Sequence, residues 1–383
     1  MNFLSKRLSS LHPYVPGEQP TDRDYIKLNA NENPYPPHES VGQAVKTAVE
    51  QNRAKLGLYP DPDVTELRQA IADMLNDTGG VLCRAKCEHL RCSPDTADKI
   101  PFKVTSNMIF CGNGSDEVLS FVFYTFFDSD RPLVLPEYTY SFYPVYCGYY
   151  GIPMNTVPLK GDWTLDSDKM LAEANKTDSP IIFANPNAPT GLSLTRRQVA
   201  DLLEKAPKDR VVVVDEAYCD FGGESCIPLL QDFENLVIVR TFSKSLSFAG
   251  MRLGFVVANP KLIQAIFQVK NSFNHFPVDF IAKTAAIASC KAAGYYAENA
   301  RKVVAERCSL TQFLRERGWF VIDSSTNFVF ARKDGIPGQK VYETVKKAGI
   351  LIRHFNTKGI EDFVRITIGT HEQMEALKKV LDF

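Results

Sequence analysis

Continuous apolar runs that end in polar residues recur through the middle of the 383-residue chain. They lie in "RPLVLPEYTYSFY", "SPIIFANPNAPTG", "RVVVVDEAYCDF" and "NLVIVRTFSKS". Strands that are buried on both faces of a parallel sheet show this pattern. Helical segments separate the runs, such as "TRRQVADLLEKAP" with Thr195 as a candidate N-cap. The pattern predicts an α/β fold with a doubly wound, mostly parallel sheet, in which ligands bind at the carboxyl ends of the strands.

The pattern changes after about residue 257, where long helical stretches precede the strand-like runs "TNFVFARK" and "DFVRITIG". This change indicates a second, smaller α+β domain. We predict an N-terminal arm with part of the small domain at 1–45, a large α/β domain at 46–257 and the small C-terminal domain at 258–383. Residues 79–106 are predicted to form an insertion in the large domain.

Charge and cysteine content narrow the class of protein. The formal net charge of −1 gives no electrostatic reason to bind nucleic acid. No window approaches the roughly eighteen apolar residues of a membrane span, and "MNFLSKRLSS" lacks the apolar core of a signal peptide. Nine cysteines, an odd number, fit a reducing compartment better than a disulfide framework. We therefore expect a cytoplasmic protein.

Two of the predicted strand ends carry side chains that suit catalysis. Asp215 ends "VVVVDEAY", where a buried carboxylate needs a cationic or N–H partner, and Tyr218 follows it. Lys244 lies among small and apolar residues in "RTFSKSLSFAGMRLGF". A partly desolvated lysine is nucleophilic and forms a Schiff base with an aldehyde. A structural ion pair at Asp215 is the alternative interpretation of that residue.

An anion site is predicted at "CGNGSDE", where Gly114 precedes a helix that begins at Ser115 and Asp116. The run lacks the third glycine of a dinucleotide fingerprint, and an ordinary capped helix start is the alternative. Ser243 and Arg252 add donors for a phosphate. An aldehyde-reactive lysine, an acid for a ring nitrogen, a tyrosine for a phenolic oxygen and donors for a phosphate together describe pyridoxal 5'-phosphate.

The chain resembles the histidinol-phosphate aminotransferase family of fold-type I pyridoxal-phosphate enzymes. The matching stretches run in order from "KLNANENPYPP" to "VRITIGT" and include "LYPDP", "GNGSDE", "YSFY", "PNAPTG", "VVDEAY", "SKSLSFAGMRLGF", "STNFVFAR" and "ILIR". They cover nearly the full length. The resemblance implies an aminotransferase of histidine biosynthesis that moves an amino group between L-histidinol phosphate and 2-oxoglutarate, giving imidazole acetol phosphate and glutamate.

The resemblance also implies roles for the matched residues. Lys244 would form the Schiff base and move the proton, Asp215 would keep the pyridine nitrogen protonated and Tyr218 would bind the ring hydroxyl oxygen. Tyr140 would stack on the ring. A homodimer is implied, with Tyr59 reaching the cofactor phosphate of the partner site. The full set of implied cofactor-binding residues is Tyr59, Gly114, Ser115, Asp116, Tyr140, Asn187, Asp215, Tyr218, Ser243, Lys244 and Arg252.

Four residues are implied in substrate binding. Arg365 in "VRITIG" matches the arginine that binds the α-carboxylate of ordinary amino acids, and Arg353 in "ILIRHF" would help it to bind a dianionic phosphate. Tyr14 in "HPYVPG" matches a tyrosine that contacts the substrate phosphate. Asn33 in "NENP" is a further candidate, although its spacing also suits a turn.

The chain departs from the family pattern directly before "PTG", where Ala188 replaces an asparagine that touches the ring hydroxyl oxygen. Asn187 is the candidate substitute. The second departure is the insertion, which contains four potential soft ligands. These are Cys83, Cys87, His89 and Cys92. Such residues can hold zinc, but their spacing fits no standard finger, and we predict no metal.

Three other functions fit parts of this pattern. An aromatic amino acid aminotransferase would use the aromatic residues near Tyr140. A threonine-phosphate decarboxylase shares the fold and differs in which bond lies perpendicular to the cofactor ring. A cofactor-binding regulator would need a DNA-binding extension, and "MNFLSKRLSSLHPYVPGEQP" is too short and proline-rich for a winged helix.

Overall fold

The computed structural model of the protein describes residues 3–86 and 99–382. Its strands are β1 (Ile26–Lys27), β2 (Ile109–Gly112), β3 (Leu133–Pro136), β4 (Met154–Val157), β5 (Ile181–Ala184), β6 (Val212–Asp215), β7 (Leu236–Thr241), β8 (Gly254–Ala258), β9 (Trp319–Ile322), β10 (Phe328–Lys333), β11 (Ile350–Leu351), β12 (Arg353–His354) and β13 (Val364–Thr367). Its α-helices are α1 (Glu39–Gln51), α2 (Thr65–Thr78), α3 (Gly114–Phe126), α4 (Tyr143–Tyr150), α5 (Ser167–Thr177), α6 (Arg196–Lys205), α7 (Pro260–Phe273), α8 (Phe280–Lys291), α9 (Ala293–Glu316), α10 (Gly338–Lys347) and α11 (His371–Val380).

Seven strands form the large sheet, in the order β2-β8-β7-β6-β5-β3-β4. Neighbouring strands are parallel except for β8, which is antiparallel to β2 and β7. Every residue of β2, β3 and β5 to β8 is buried, whereas the edge strand β4 is partly exposed. Helices cover both faces, which is why these strands are apolar along their whole length. The predicted doubly wound α/β fold is confirmed.

Local capping follows the sequence at α6. The Thr195 side chain accepts a hydrogen bond from the Gln198 backbone N–H, and the Gln198 side chain accepts one from the Thr195 N–H. This reciprocal pair satisfies two helix-end donors, and it confirms Thr195 as the N-cap.

A smaller antiparallel sheet, in the order β12-β13-β10-β9, lies toward the C-terminus. Strand β1 pairs in parallel with β11, so the N-terminal arm joins this part of the molecule. Helix α7 buries Ile263 and Ile266 against α3 and the strands β2 and β8 of the large sheet. Helix α8 packs against α1 and α2, through residues such as Ala285 and Ala286. Helix α9 is the first helix after residue 258 that packs on the small sheet, against β9 and β10.

Among the helices of the described residues, none has both the length and the apolar composition needed to cross a lipid bilayer.

Candidate active site

A cavity of about 360 Å³ lies at the carboxyl ends of the parallel strands, where the large sheet meets the small one. Six of the residues singled out in the sequence line it. These are Tyr14, Tyr140, Tyr218, Lys244, Arg353 and Arg365. Residues up to 351 positions apart in the chain thus meet at the sheet edge expected for a ligand site in this fold.

Lys244 is half-buried in the loop that follows β7. Its Nζ lies 3.4 Å from the Ala30 carbonyl oxygen and 5.7 Å from the centre of the Tyr218 ring. The Tyr218 hydroxyl accepts a hydrogen bond of 2.9 Å from the Asn31 side-chain amide. Asn31 was missed in the sequence, although it lies in the matched stretch "KLNANENPYPP", because only the tertiary fold places it beside Tyr218.

Asp215 is the last residue of β6 and only 4% exposed. Its two oxygens accept hydrogen bonds from the Tyr143 hydroxyl, at 2.8 Å, and from the Ala217 N–H, at 3.1 Å. Burial raises the pKa of Asp215 to about 6, and these two hydrogen bonds oppose that rise. Both of these hydrogen-bond partners are uncharged, and a protonated ring nitrogen would supply a positive one. Tyr143, the last residue of "YSFY", was also missed.

Helix α3 begins at Gly114, and its N-cap residue Asn113 makes no side-chain capping bond. Unpaired N–H groups at a helix start favour an anion. Arg252 lies beside this helix start and donates to the Asp116 carboxylate at 2.7 Å. Its φ of 55° is a left-handed conformation that is uncommon for a residue other than glycine. A Cβ on Gly254 would lie 2.5 Å from the Ser115 nitrogen, so only glycine lets β8 approach the start of α3 this closely.

Tyr140 links the cavity to the start of α3. Its hydroxyl donates to the Asp116 carboxylate at 3.0 Å, and burial raises the pKa of this tyrosine well above its ordinary value. Ser243 is buried, and its N–H donates to the Thr241 hydroxyl. Tyr140, Asp116 and Arg252 thus form a continuous polar wall from the cavity to the start of α3.

The Asn187 amide is buried beside the cavity. Its NH2 group donates to the Tyr138 carbonyl, at 2.8 Å, and to the Thr190 hydroxyl, at 3.1 Å. Its carbonyl oxygen has no hydrogen-bond partner among the described residues. Ala188, which lines the cavity, adds no polar group of its own. Asn187 therefore keeps one unused acceptor.

Arg353 and Arg365 face each other on β12 and β13 and are paired by their Cα register. Arg353 donates to the carbonyl oxygens of residues 15 and 16, at 3.1 Å each, and Arg365 donates to that of residue 29, at 3.3 Å. The Nε of Arg365 is buried without a partner among the described atoms. Burial lowers the pKa of Arg365, and the nearby Arg353 charge lowers it further. Among the residues that the structure describes, neither of these two cations pairs with a carboxylate.

Asn33 and Tyr59 are not among the residues that line the cavity of a single chain. The Asn33 side chain donates to the carbonyl oxygens of Lys244, at 3.0 Å, and Ser245, at 3.2 Å. It therefore contacts the backbone of the loop that follows β7 and carries Lys244, which we call the lysine loop. Tyr59 is 83% exposed and stacks on Phe276 with ring centres 4.6 Å apart.

The cysteine insertion is described only in part. Cys83 is buried, and Cys87, His89 and Cys92 lie outside the described residues. Within residues 3–86 and 99–382, no three histidine, cysteine, aspartate or glutamate side chains are grouped so that they could hold a metal ion.

The side chains at this edge fit pyridoxal phosphate. When the cofactor is bound, the buried Asp215 carboxylate would face the ring nitrogen, the Lys244 amine would meet the aldehyde, and the start of α3 with Arg252 would hold the phosphate. The unused acceptor of Asn187 is a further contact for a bound group. Fold and site together define a fold-type I pyridoxal-phosphate enzyme.

Residues 23–381 match the family model "Aminotransferase class I and II", and the chain belongs to this family of pyridoxal-phosphate-dependent aminotransferases. It is 45% identical to a histidinol-phosphate aminotransferase of Syntrophus aciditrophicus, over 99% of this chain and 97% of that protein. It is 43% identical to histidinol-phosphate aminotransferase 1 of Bradyrhizobium diazoefficiens, over 99% of this chain and 98% of that one.

Solved structures agree on the fold. Histidinol-phosphate aminotransferase from Sinorhizobium meliloti, in complex with pyridoxal 5'-phosphate, superposes with a TM-score of 0.83 at 24% identity, covering 100% of this chain and 97% of that one. A Thermus thermophilus aspartate aminotransferase mutant gives 0.80 at 21% identity, covering 100% and 98%. The predicted family, fold and cofactor are confirmed.

Proposed function

We propose that this protein transfers an amino group between L-histidinol phosphate and 2-oxoglutarate, yielding imidazole acetol phosphate and glutamate in histidine biosynthesis. The observation that carries the proposal is the facing pair Arg353 and Arg365 in the wall of the Lys244 cavity. Planar guanidinium groups bind phosphate oxygens through paired hydrogen bonds, and two of them match a dianion. The names of the full-length relatives support the same substrate.

Each residue of the site then has a defined task. Pyridoxal phosphate, when bound, supplies the electron sink that stabilises negative charge at the substrate carbon bearing the amine. Asp215 holds the proton on the ring nitrogen, and Tyr218 binds the ring hydroxyl oxygen. Lys244 Nζ moves the proton at the substrate carbon. Tyr140 covers the ring, and the start of α3 with Ser243 and Arg252 holds the cofactor phosphate.

The substrate phosphate is assigned to Arg353, Arg365 and the Tyr14 hydroxyl. Tyr14 lines the same cavity and packs against Phe142, with ring centres 5.3 Å apart. The α-carboxylate of 2-oxoglutarate would take the place of the phosphate on Arg365 in the second half of the reaction. One anion site thus serves both substrates in turn.

We further propose a homodimer in which Tyr59 completes the partner site. Leu56, Leu58 and Tyr59 are 51%, 69% and 83% exposed, and together with the stacked Phe276 they form an apolar patch on a single chain. Such a patch marks an interaction surface. A second copy that covers it would place the Tyr59 hydroxyl at the other cofactor phosphate.

We also place the enzyme in the cytoplasm. Cys111, Cys147, Cys219, Cys226 and Cys290 are buried free thiols, as expected in a reducing compartment, although Cys308 is disulfide-bonded.

The function is tested by glutamate formation from 2-oxoglutarate with three amino donors. L-Histidinol phosphate should be the best substrate, because L-histidinol lacks the dianion and L-phenylalanine replaces it with a single carboxylate. A preference for L-phenylalanine, or release of carbon dioxide from threonine phosphate, would overturn the assignment.

A further inference from the structure

A buried cluster of charged side chains lies directly behind the lysine loop and has no role in the reaction described so far. Arg240, at the end of β7, is 5% exposed and faces two carboxylates. It donates to Asp220 at 2.7 Å and lies 3.5 Å from Glu216, which is 1% exposed. Burying three ionised groups costs free energy of folding, so stability alone does not explain why this cluster is present.

Asp220 connects this cluster to the cofactor lysine. One of its oxygens accepts from Arg240 and from the Leu82 N–H at 2.9 Å. The other accepts from the Ser245 hydroxyl at 2.6 Å. Ser245 is the residue next to Lys244 and is 1% exposed. The Asp220 carboxylate therefore holds the lysine loop by a hydrogen bond on the side that faces the protein core.

The lysine loop is held from its other side as well. The Asn33 amide donates to the carbonyl oxygens of Lys244 and Ser245, as described above. Asn33 uses its own carbonyl oxygen to accept from the Tyr35 N–H at 3.1 Å. The peptide unit between Lys244 and Ser245 is thus fixed between an amide and a carboxylate, and neither of these touches the cavity.

We infer that Asp220 and Ser245 are positioning residues for the Lys244 amine: Arg240 orients the Asp220 carboxylate, which holds Ser245 and so fixes the backbone from which Lys244 extends. The reason is geometric. A lysine side chain has four flexible bonds, so an amine must start from a fixed backbone to meet an aldehyde at one place. This inference rests on the proposed role of Lys244.

The test compares two cofactor forms on the full-length, cofactor-free protein. Pyridoxal phosphate gains affinity from its covalent bond to Lys244, which forms with loss of water, whereas pyridoxamine phosphate has no aldehyde and binds without that bond. Ser245→Ala should weaken pyridoxal phosphate about three- to tenfold, the effect of one lost hydrogen bond. It should leave the affinity for pyridoxamine phosphate unchanged.

Ser225→Ala is the matched control. Ser225 is fully buried and donates to Glu216 at 2.8 Å, on the far side of the same cluster. This variant should lose a similar amount of thermal stability and keep the preference for pyridoxal phosphate. Equal weakening of both cofactor forms by Ser245→Ala, or the same loss of preference in Ser225→Ala, would reduce the cluster to a structural element and overturn the inference.

Lys244→Ala separates this inference from the role of Lys244 itself. If wild-type protein prefers pyridoxal phosphate and Lys244→Ala does not, the role of Lys244 holds, and the result for Ser245→Ala then decides the positioning claim alone. If Lys244→Ala keeps the wild-type preference, the role of Lys244 fails, and the inference fails with it.

Discussion

Arg353 and Arg365 lie directly opposite each other on neighbouring antiparallel strands, and both line the cavity that holds Lys244. Like charges directly opposite each other destabilise a sheet. Among residues 3–86 and 99–382, neither guanidinium forms an ion pair with a carboxylate; their partners are backbone carbonyl oxygens. A doubly charged anion would relieve this repulsion, which makes the pair the strongest mark of a phosphate-bearing substrate.

Arg353→Ala should therefore lose activity selectively. We expect kcat/KM for L-histidinol phosphate to fall roughly 10- to 100-fold, the range for lost hydrogen bonds to a charged group. The slower reaction with L-histidinol, which has no phosphate, should change little. Steady-state kinetics with both donors measures the difference.

Arg332→Ala is the control for this prediction. Arg332 lies on β10 and pairs with Asp334 at 2.6 Å, away from the cavity wall. It should behave as wild type with both donors. Equal losses for the two donors in Arg353→Ala would show that Arg353 does not bind the phosphate.

The buried Asp215 should make the stability of the cofactor-free protein depend on pH. Burial raises its folded-state pKa from 3.8 to about 6. The folded state then holds the proton more tightly than the unfolded state, so this group lowers the free energy of unfolding as the pH rises from about 4 through about 6. Above that window its cost is constant.

The amide in Asp215→Asn does not titrate, so the free energy of unfolding of this variant does not include the pH-dependent loss caused by Asp215. The free energy of unfolding of the variant, minus that of the wild type, should increase between pH 4.5 and 6.5 and level off above. Urea denaturation of both cofactor-free proteins across this range measures it. A difference that stays the same at every pH would mean that Asp215 does not have the raised pKa.

The proposed role of Tyr59 can be tested by mixing two inactive variants. A Lys244→Ala chain still carries Tyr59, and a Tyr59→Ala chain still carries Lys244. In a twofold-symmetric dimer with the tyrosine shared between subunits, a mixed dimer contains one complete site. Refolding the two together should then restore roughly one quarter of wild-type activity, since half of the dimers are mixed and half of their sites are complete.

The control for the mixing experiment is each variant refolded alone, which should stay near its own residual activity. If the mixture shows only the average of the two separate variants, Tyr59 does not act across an interface.

The strand ends were predictable because buried parallel strands leave an unbroken apolar signal. That signal placed Asp215 and the lysine loop at the same sheet edge, where the structure has them. The packing partner of α7 was less predictable, since an amphipathic helix does not reveal in its own sequence which sheet its apolar face will meet.

The contacts of the supporting side chains could not be predicted from the sequence. Tyr143, Asn31 and Ser245 are 72, 187 and 25 residues away from the groups that they contact. Their hydroxyl and amide groups look like those of any other tyrosine, asparagine or serine until the fold brings the partners together. All three lie within the matched stretches "KLNANENPYPP", "YSFY" and "SKSLSFAGMRLGF", but those stretches do not show which polar residue contacts which partner.

The most direct test of the whole account is a single half-reaction. Purified enzyme with its cofactor is mixed with L-histidinol phosphate in the absence of an oxo acid, and the absorbance spectrum of the cofactor is followed. We predict rapid conversion to pyridoxamine phosphate, reversal on addition of 2-oxoglutarate, and neither change in Lys244→Ala. A spectrum that does not respond to L-histidinol phosphate but is converted by phenylalanine or tyrosine would contradict the proposed substrate.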